Sequence, residues 1–159
     1  MVSDRVRAGR GVVAVLATLG VLGCGINDDV TGLPEEVTFA PELGVDLNSM
    51  QRLPSGVYIK DLVTGTGDEV MSDSNIEVTF RAWLVNGRQV DGGNLPCFPL
   101  AMLIQGWQDG IPGMLVGGKR KLVVPPTSAY GKEGSFPSIP PNATLVFDVE
   151  LTAVPPSCS

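Results

Sequence analysis

Histidine is absent from all 159 residues of the chain. That removes the Ser-His and Cys-His nucleophile arrangements and every histidine-based metal site. Cysteine is scarce: three residues, none in a C-x-x-C pair, too few for a zinc cluster. Positive charge is also short, with 11 basic against 17 acidic residues, a net charge of −6 and no basic stripe, which argues against a nucleic-acid partner. No metal or cofactor is therefore expected. What remains is 43% apolar and 18% charged, in a chain long enough for one domain with its own core.

The first residues read as an export signal. Arg5, Arg7 and Arg10 form a positive segment, and Gly11 to Gly23 (GVVAVLATLGVLG) is uncharged and apolar. The run is shorter than the roughly 20 residues of a membrane span and fits the apolar core of a secretory signal. It ends in "VLGC", which resembles a bacterial lipobox, so Cys24 is expected to carry lipid and to become the mature N-terminus; an ordinary signal peptide cut nearby is the alternative. Residues 1–23 are then the signal, and 24–55 a lipidated cysteine, flexible tether and N-terminal arm. Gly25 to about Pro34 reads as the tether. Phe39, Leu43 and Leu47 belong to an arm that either lies on the domain or hangs loose. Removing Arg5, Arg7, Arg10 and Asp4 leaves 8 basic and 16 acidic residues, a charge of about −8 that favours solubility.

Residues 56–154 carry the folded pattern, with 155–159 a tail. Val57 to Leu62 reads as a strand closed by "TGTGD", whose glycine pair lacks the third glycine and following helix of a dinucleotide loop. Ile76, Val78, Phe80, Ala82 and Leu84 alternate with Glu77, Thr79, Arg81 and Trp83, and Asn86-Gly87 makes a hairpin turn. Gln89 to Asp91 leads back, and Phe98 to Leu100 continues that strand after an irregular bulge. Leu103, Ile104, Trp107 and Ile111 recur at helical spacing until Pro112-Gly113. Lys119 to Pro125 reads as a strand, and Leu145, Phe147, Val149 and Leu151 give the last one its apolar face. The sum is an α+β domain with one short helix across an antiparallel sheet. Between the last two strands lies a long loop with Phe136 and Ile139 set among prolines, apolar where loops are usually polar.

The segments "GWQDGIPGMLVGGKRKLVVPPTSAYG" and "IPPNATLVFDVEL" resemble the FKBP-type peptidyl-prolyl isomerase domain. I-x-G-W, G-x-K, P-x-x-x-A-Y-G and I-P-P-x-A-T-L-x-F-D-V-E-L follow in order over about Gly56 to Val154. The resemblance implies a twisted antiparallel sheet wrapped around a short helix, with an aromatic-lined pocket between them. It also implies a rim, the loop from Gly131 to Pro141, whose Phe136 and Ile139 face a proline-containing chain. Trp107 is then the pocket floor, flanked by Leu103 and Ile104, with the Ile104 N–H receiving a ligand carbonyl. Tyr130 points its hydroxyl at the peptide carbonyl, and Asp91 matches the aspartate of the family's F-D motif. Ile139 and Phe147 close a wall, and Phe98 and Leu100 supply another.

Two positions depart from the pattern. Phe80 stands where the family usually has tyrosine, and Val90 where the F-D motif has phenylalanine. Losing a phenol hydrogen bond costs about 1 kcal/mol, and losing a buried aromatic wall costs roughly several kcal/mol. The expectation is weak to moderate isomerase activity, an altered preference for the residue before proline and weaker macrolide binding. A chaperone-like binding module without useful catalysis is the alternative, and a structural lipoprotein with a collapsed pocket a third.

Export implies an oxidising compartment, where the two cysteines left after Cys24, Cys97 and Cys158, tend to pair; two free thiols are the alternative. The expected partners are proline-containing unfolded or exported polypeptides, with the membrane reached only through the lipid anchor. The expected location is the periplasmic face of the cell envelope, with a tilt to the outer membrane because Gly25 replaces the aspartate that often signals inner-membrane retention. A monomer is expected.

Overall fold

The structure, a computed structural model, describes residues 29–158; the signal, the lipobox and Cys24 lie outside them. Six strands form one antiparallel sheet: β1 (Gln51–Arg52), β2 (Tyr58–Val63), β3 (Asn75–Leu84), β4 (Gln89–Pro99), β5 (Lys119–Val124) and β6 (Leu145–Ala153). Their order is β1-β2-β5-β6-β3-β4. β3 and β6 lie side by side, and Val78, Phe80, Ala82 and Leu84 pair with Leu151, Val149, Phe147 and Leu145. Both apolar rows thus share one face.

That face holds the single α-helix among the described residues, α1 (Gln105–Gly110). A helix this short is held by packing rather than propensity, and two glycines show how. A Cβ on Gly106 would lie 2.3 Å from Val124 Cγ1, and one on Gly110 2.3 Å from Leu122 Cδ2. Val124 and Leu122 are both fully buried inward residues of β5. Glycine at i and i+4 lets the helix backbone rest directly on β5. Trp107, Ile111 and Met114 complete the core with Val57, Val70, Ile76, Leu100 and the inward rows.

The predicted helix runs from Leu103 to Ile111, longer than the observed one. Leu103 and Ile104 have extended backbones, with ψ 174° and 148°. Gln108 holds them outside the helix, its Nε2 donating to Leu103 O at 2.7 Å and Ala101 O at 3.2 Å. β4 is continuous from Gln89 to Pro99; one register shift, between Leu95 and Phe98, falls where a bulge is expected, and a second lies at Val90.

The N-terminal arm lies on the opposite face of the sheet. Phe39, Ala40, Leu43, Val45, Leu47 and Met50 pack against Tyr58, Trp83, Val123 and Val146. Glu35 ties it down, accepting from Tyr58 Oη at 2.7 Å and Arg52 Nε at 3.1 Å. The attachment begins within the predicted tether: Thr31 bridges Ala143, Gly32 N donates to Asn142 O at 2.9 Å, and Thr144 Oγ1 donates to Gly32 O at 2.6 Å. The folded unit therefore starts before residue 56, because the outer face of the sheet carries apolar residues that need a cover. At the other end Cys97 and Cys158 are joined by a disulfide, Cα atoms 5.3 Å apart, which fixes the tail to β4.

Candidate active site

Between α1 and the sheet lies a cavity of about 210 Å³, lined by Phe80, Asp91, Leu95, Leu103, Ile104, Trp107, Tyr130 and Phe147. Its floor is the indole of Trp107, 4% exposed. Phe80 from β3 meets that ring edge to face at 5.2 Å and 87°, and Phe147 from β6 at 5.6 Å and 84°. Two perpendicular contacts hold the indole by its ring quadrupole and leave one orientation. The indole Nε1 is buried with no hydrogen-bond partner among the described residues, which costs about 1–3 kcal/mol. Buried donors left unpaired are rare.

Leu103 and Ile104 form the approach. Neither is a helical core position; they are apolar because they face the cavity. The Ile104 N–H has no acceptor among the described residues. It stands at the start of α1, where the first amides lack partners inside the helix.

Tyr130 and Asp91 supply the polar side. Tyr130 follows the turn Pro126–Ser128, locked by Ala129 N to Pro126 O at 3.1 Å and Gly131 N to Pro126 O at 2.9 Å. Burial, reinforced by the negative charge of Asp91, raises its phenol above the ordinary tyrosine value. The hydroxyl therefore stays protonated, and able to donate, through the whole neutral range. Asp91 lies opposite Ala82, and its Oδ1 accepts from Gly92 N at 2.8 Å. Among the described residues no group of three histidine, cysteine, aspartate or glutamate side chains comes together. The cavity thus joins an apolar aromatic floor to one phenol and one carboxylate.

Of the residues expected at the pocket, Trp107, Phe147, Tyr130, Asp91, Phe80, Leu103 and Ile104 line it; Val90, Phe98, Phe136 and Ile139 do not. Val90 sits at the register shift between Ala82 and Trp83, half-buried against the core. Phe98 pairs with Ile76 and is 36% exposed on the far part of β4, while Leu100 is fully buried below. Ile139 packs into the main core at 8% exposure. Phe136 projects from the rim at 97% exposure. Its loop is stiffened by Ser135 N to Ile139 O and Ile139 N to Ser135 O, both 2.8 Å, and by Arg88 Nη2 to Ser138 O at 2.9 Å.

Leu95 is the lining residue that sequence reasoning missed. It lies in "GGNLPC", where no alternation is visible. Its pairing with Val78, two positions from Phe80 opposite Gly93, puts it on the cavity face.

Comparison with known proteins gives the same assignment. A family model described as FKBP-type peptidyl-prolyl cis-trans isomerase matches residues 67–152. The chain is 36% identical over 135 residues to the FKBP-type peptidyl-prolyl cis-trans isomerase FkpA of Escherichia coli, covering 82% of this chain and 48% of that one. It is 41% identical over 105 residues to an FK506-binding protein of Neisseria meningitidis, covering 62% of this chain and 96% of that one. A peptidyl-prolyl cis-trans isomerase structure from Pseudomonas syringae superposes with a TM-score of 0.63 at 34% identity, over 67% of this chain and 80% of that one. The chain spans 48% of FkpA and 30% of an FK506-binding protein 4 from Dictyostelium discoideum. With the motif order, the sheet around α1 and the aromatic cavity in place, the chain belongs to the FKBP-type peptidyl-prolyl cis-trans isomerase family.

Proposed function

We propose that the protein catalyses cis-trans isomerisation of X-Pro bonds in exported polypeptides. One arrangement carries the reading: an aromatic floor of Trp107, Phe80 and Phe147 joined in a single cavity to the Tyr130 phenol beside Asp91. Peptide bond rotation is opposed by about 20 kcal/mol because the planar amide loses resonance as it twists. No covalent bond is made or broken, so neither nucleophile nor metal is required. An apolar, water-poor cavity disfavours the polarised planar amide relative to the less polarised twisted one. The proline ring rests on Trp107. Tyr130 Oη and the Ile104 N–H donate to the flanking carbonyls in the twisted geometry. Binding the transition state better than the ground state is the whole of the catalysis.

The rest of the proposal concerns place. Cys24 carries lipid, and the isomerase faces the periplasm from a membrane, with the outer membrane favoured by Gly25. It acts as a monomer on unfolded or exported chains, with Phe136 meeting apolar residues beside the proline. Phe80 and Val90 leave activity weak to moderate and shift the preference for the residue before proline.

A panel of peptides varying only in that residue tests the activity, read as kcat/KM. Acceleration with at least part of the panel is expected. Shifts of Trp107 signals on peptide addition without acceleration of any member would leave a proline-binding module instead. Mass spectrometry of the mature N-terminus tests the anchor: a diacylglyceryl-cysteine at Cys24 is expected, and an unmodified N-terminus elsewhere would remove it.

A further inference from the structure

We infer that Arg120 is a positioning residue that sets the place of α1 along β5, and through it the height of the Trp107 floor. Arg120, Leu122 and Val124 alternate along β5 and share its inward face. Val124 receives Gly106, Leu122 receives Gly110, and Arg120 comes next beneath the end of the helix. Its side chain is 6% exposed. Nη1 donates to Gly110 O at 2.9 Å and to Pro112 O at 3.1 Å, so a buried cation satisfies carbonyls that end the helix. Nε and Nη2 donate to the two carboxylate oxygens of Asp61 on β2 at 2.6 and 3.0 Å.

The guanidinium thus ties three elements to one point: β2 through Asp61, β5 through its own backbone, and the C-terminal end of α1 through two carbonyls. The glycine contacts set how closely the helix lies on β5. The Arg120 bonds to Gly110 O and Pro112 O add a directional tie at its end. Its planar fork meets the carboxylate and the carbonyls together, which a lysine ammonium does not. Trp107 lies one turn before Gly110, so a shift at the helix end is a shift of the floor against Phe80 and Phe147. Arg120 lies outside the cavity lining and acts only through the helix.

The test is made on the whole folded protein with Trp83→Phe and 5-fluorotryptophan at Trp107, so that one fluorine signal reports the floor. Arg120→Ala and Arg120→Lys should each move and broaden that signal. Arg120→Ala should lower kcat/KM per folded molecule by roughly tenfold or more, as small displacements of positioned groups do. Asp61→Asn, which keeps the arginine and weakens one partner, should give a smaller change of the same sign. Leu43→Ala, a destabilising change in the arm on the other face, should leave the signal in place. An unmoved signal in folded Arg120→Lys and Asp61→Asn would overturn the inference, whether or not Arg120→Ala folds. The kinetic arm rests on the isomerase reading and the fluorine arm does not, so inactive wild-type protein with a moved signal would sink that reading and keep this one.

Discussion

Phe80 stands edge-on to Trp107, ring centroids 5.2 Å apart and planes at 87°. The same residue lies opposite Gly93 on β4 and beside Val149 on β6. Its ring therefore braces the floor while the para position carries no hydroxyl for the Asp91 side. Phe80→Tyr should raise kcat/KM by a factor of a few, the worth of one hydrogen bond of about 1 kcal/mol. Phe80→Ala removes the brace and should cost about 3–5 kcal/mol of stability, read by urea unfolding.

Leu95 lines the cavity and Phe98 does not. Leu95→Ala should lower kcat/KM severalfold and alter the order of preference across residues before proline. Phe98→Ala should leave that order unchanged. The reverse result would place the wall of the pocket elsewhere on β4.

Gly106 and Gly110 allow α1 to touch β5. Gly106→Ala puts a methyl group 2.3 Å from Val124 Cγ1 and 3.1 Å from Ser128 O, where the neighbours are buried and one is backbone. Such overpacking costs about 1–3 kcal/mol. A fall in the thermal midpoint, larger for Gly106→Ala than for a Gln105→Ala control on the exposed side, is the expected result.

The Cys97–Cys158 bond closes a separation of 61 residues. Limiting the unfolded chain over that span is worth about 4 kcal/mol in the loop-entropy model. Adding reductant should lower the urea midpoint of the wild type and leave that of Cys97→Ser/Cys158→Ser unchanged.

Glu35 fastens the arm. The hydrogen bond from Tyr58, aided by the charge of Arg52, holds its carboxyl below the ordinary glutamate value of 4.5. A depressed carboxylate contributes stability that is present above its unfolded value and is lost as pH falls through the folded one. Arm docking should therefore weaken below about pH 4.5, seen as faster proteolysis or amide exchange over residues 33–50. Glu35→Gln should be weaker at neutral pH and flat through that window.

The legible parts of the fold were those fixed by local pattern. β3 and β6 alternate in sequence, so their faces follow from side-chain direction; that the two lie side by side is seen only in the fold. The aromatic floor was readable from the order of motifs around Trp107 and Tyr130. Leu103 and Ile104 misled by meeting helical spacing for another reason: both face the cavity from extended backbone. Leu95 and Val90 were not readable, because the faces of β4 depend on register shifts between Ile76 and Val78 and between Ala82 and Trp83. The docked arm also leaves a mark in the sequence of β3. Trp83 stands among Glu77, Thr79 and Arg81 on the face counted as polar, and the arm covers it.

The most direct measurement of the central claim is cis-trans exchange on a short X-Pro peptide by NMR, with soluble protein from Gly25 onward and with Tyr130→Phe and Trp107→Ala. The account predicts acceleration by the wild type, a loss of a few-fold in Tyr130→Phe and at least tenfold in Trp107→Ala, with both variants folded. Acceleration that survives in folded Trp107→Ala would contradict it, because the chemistry would then not take place on that floor.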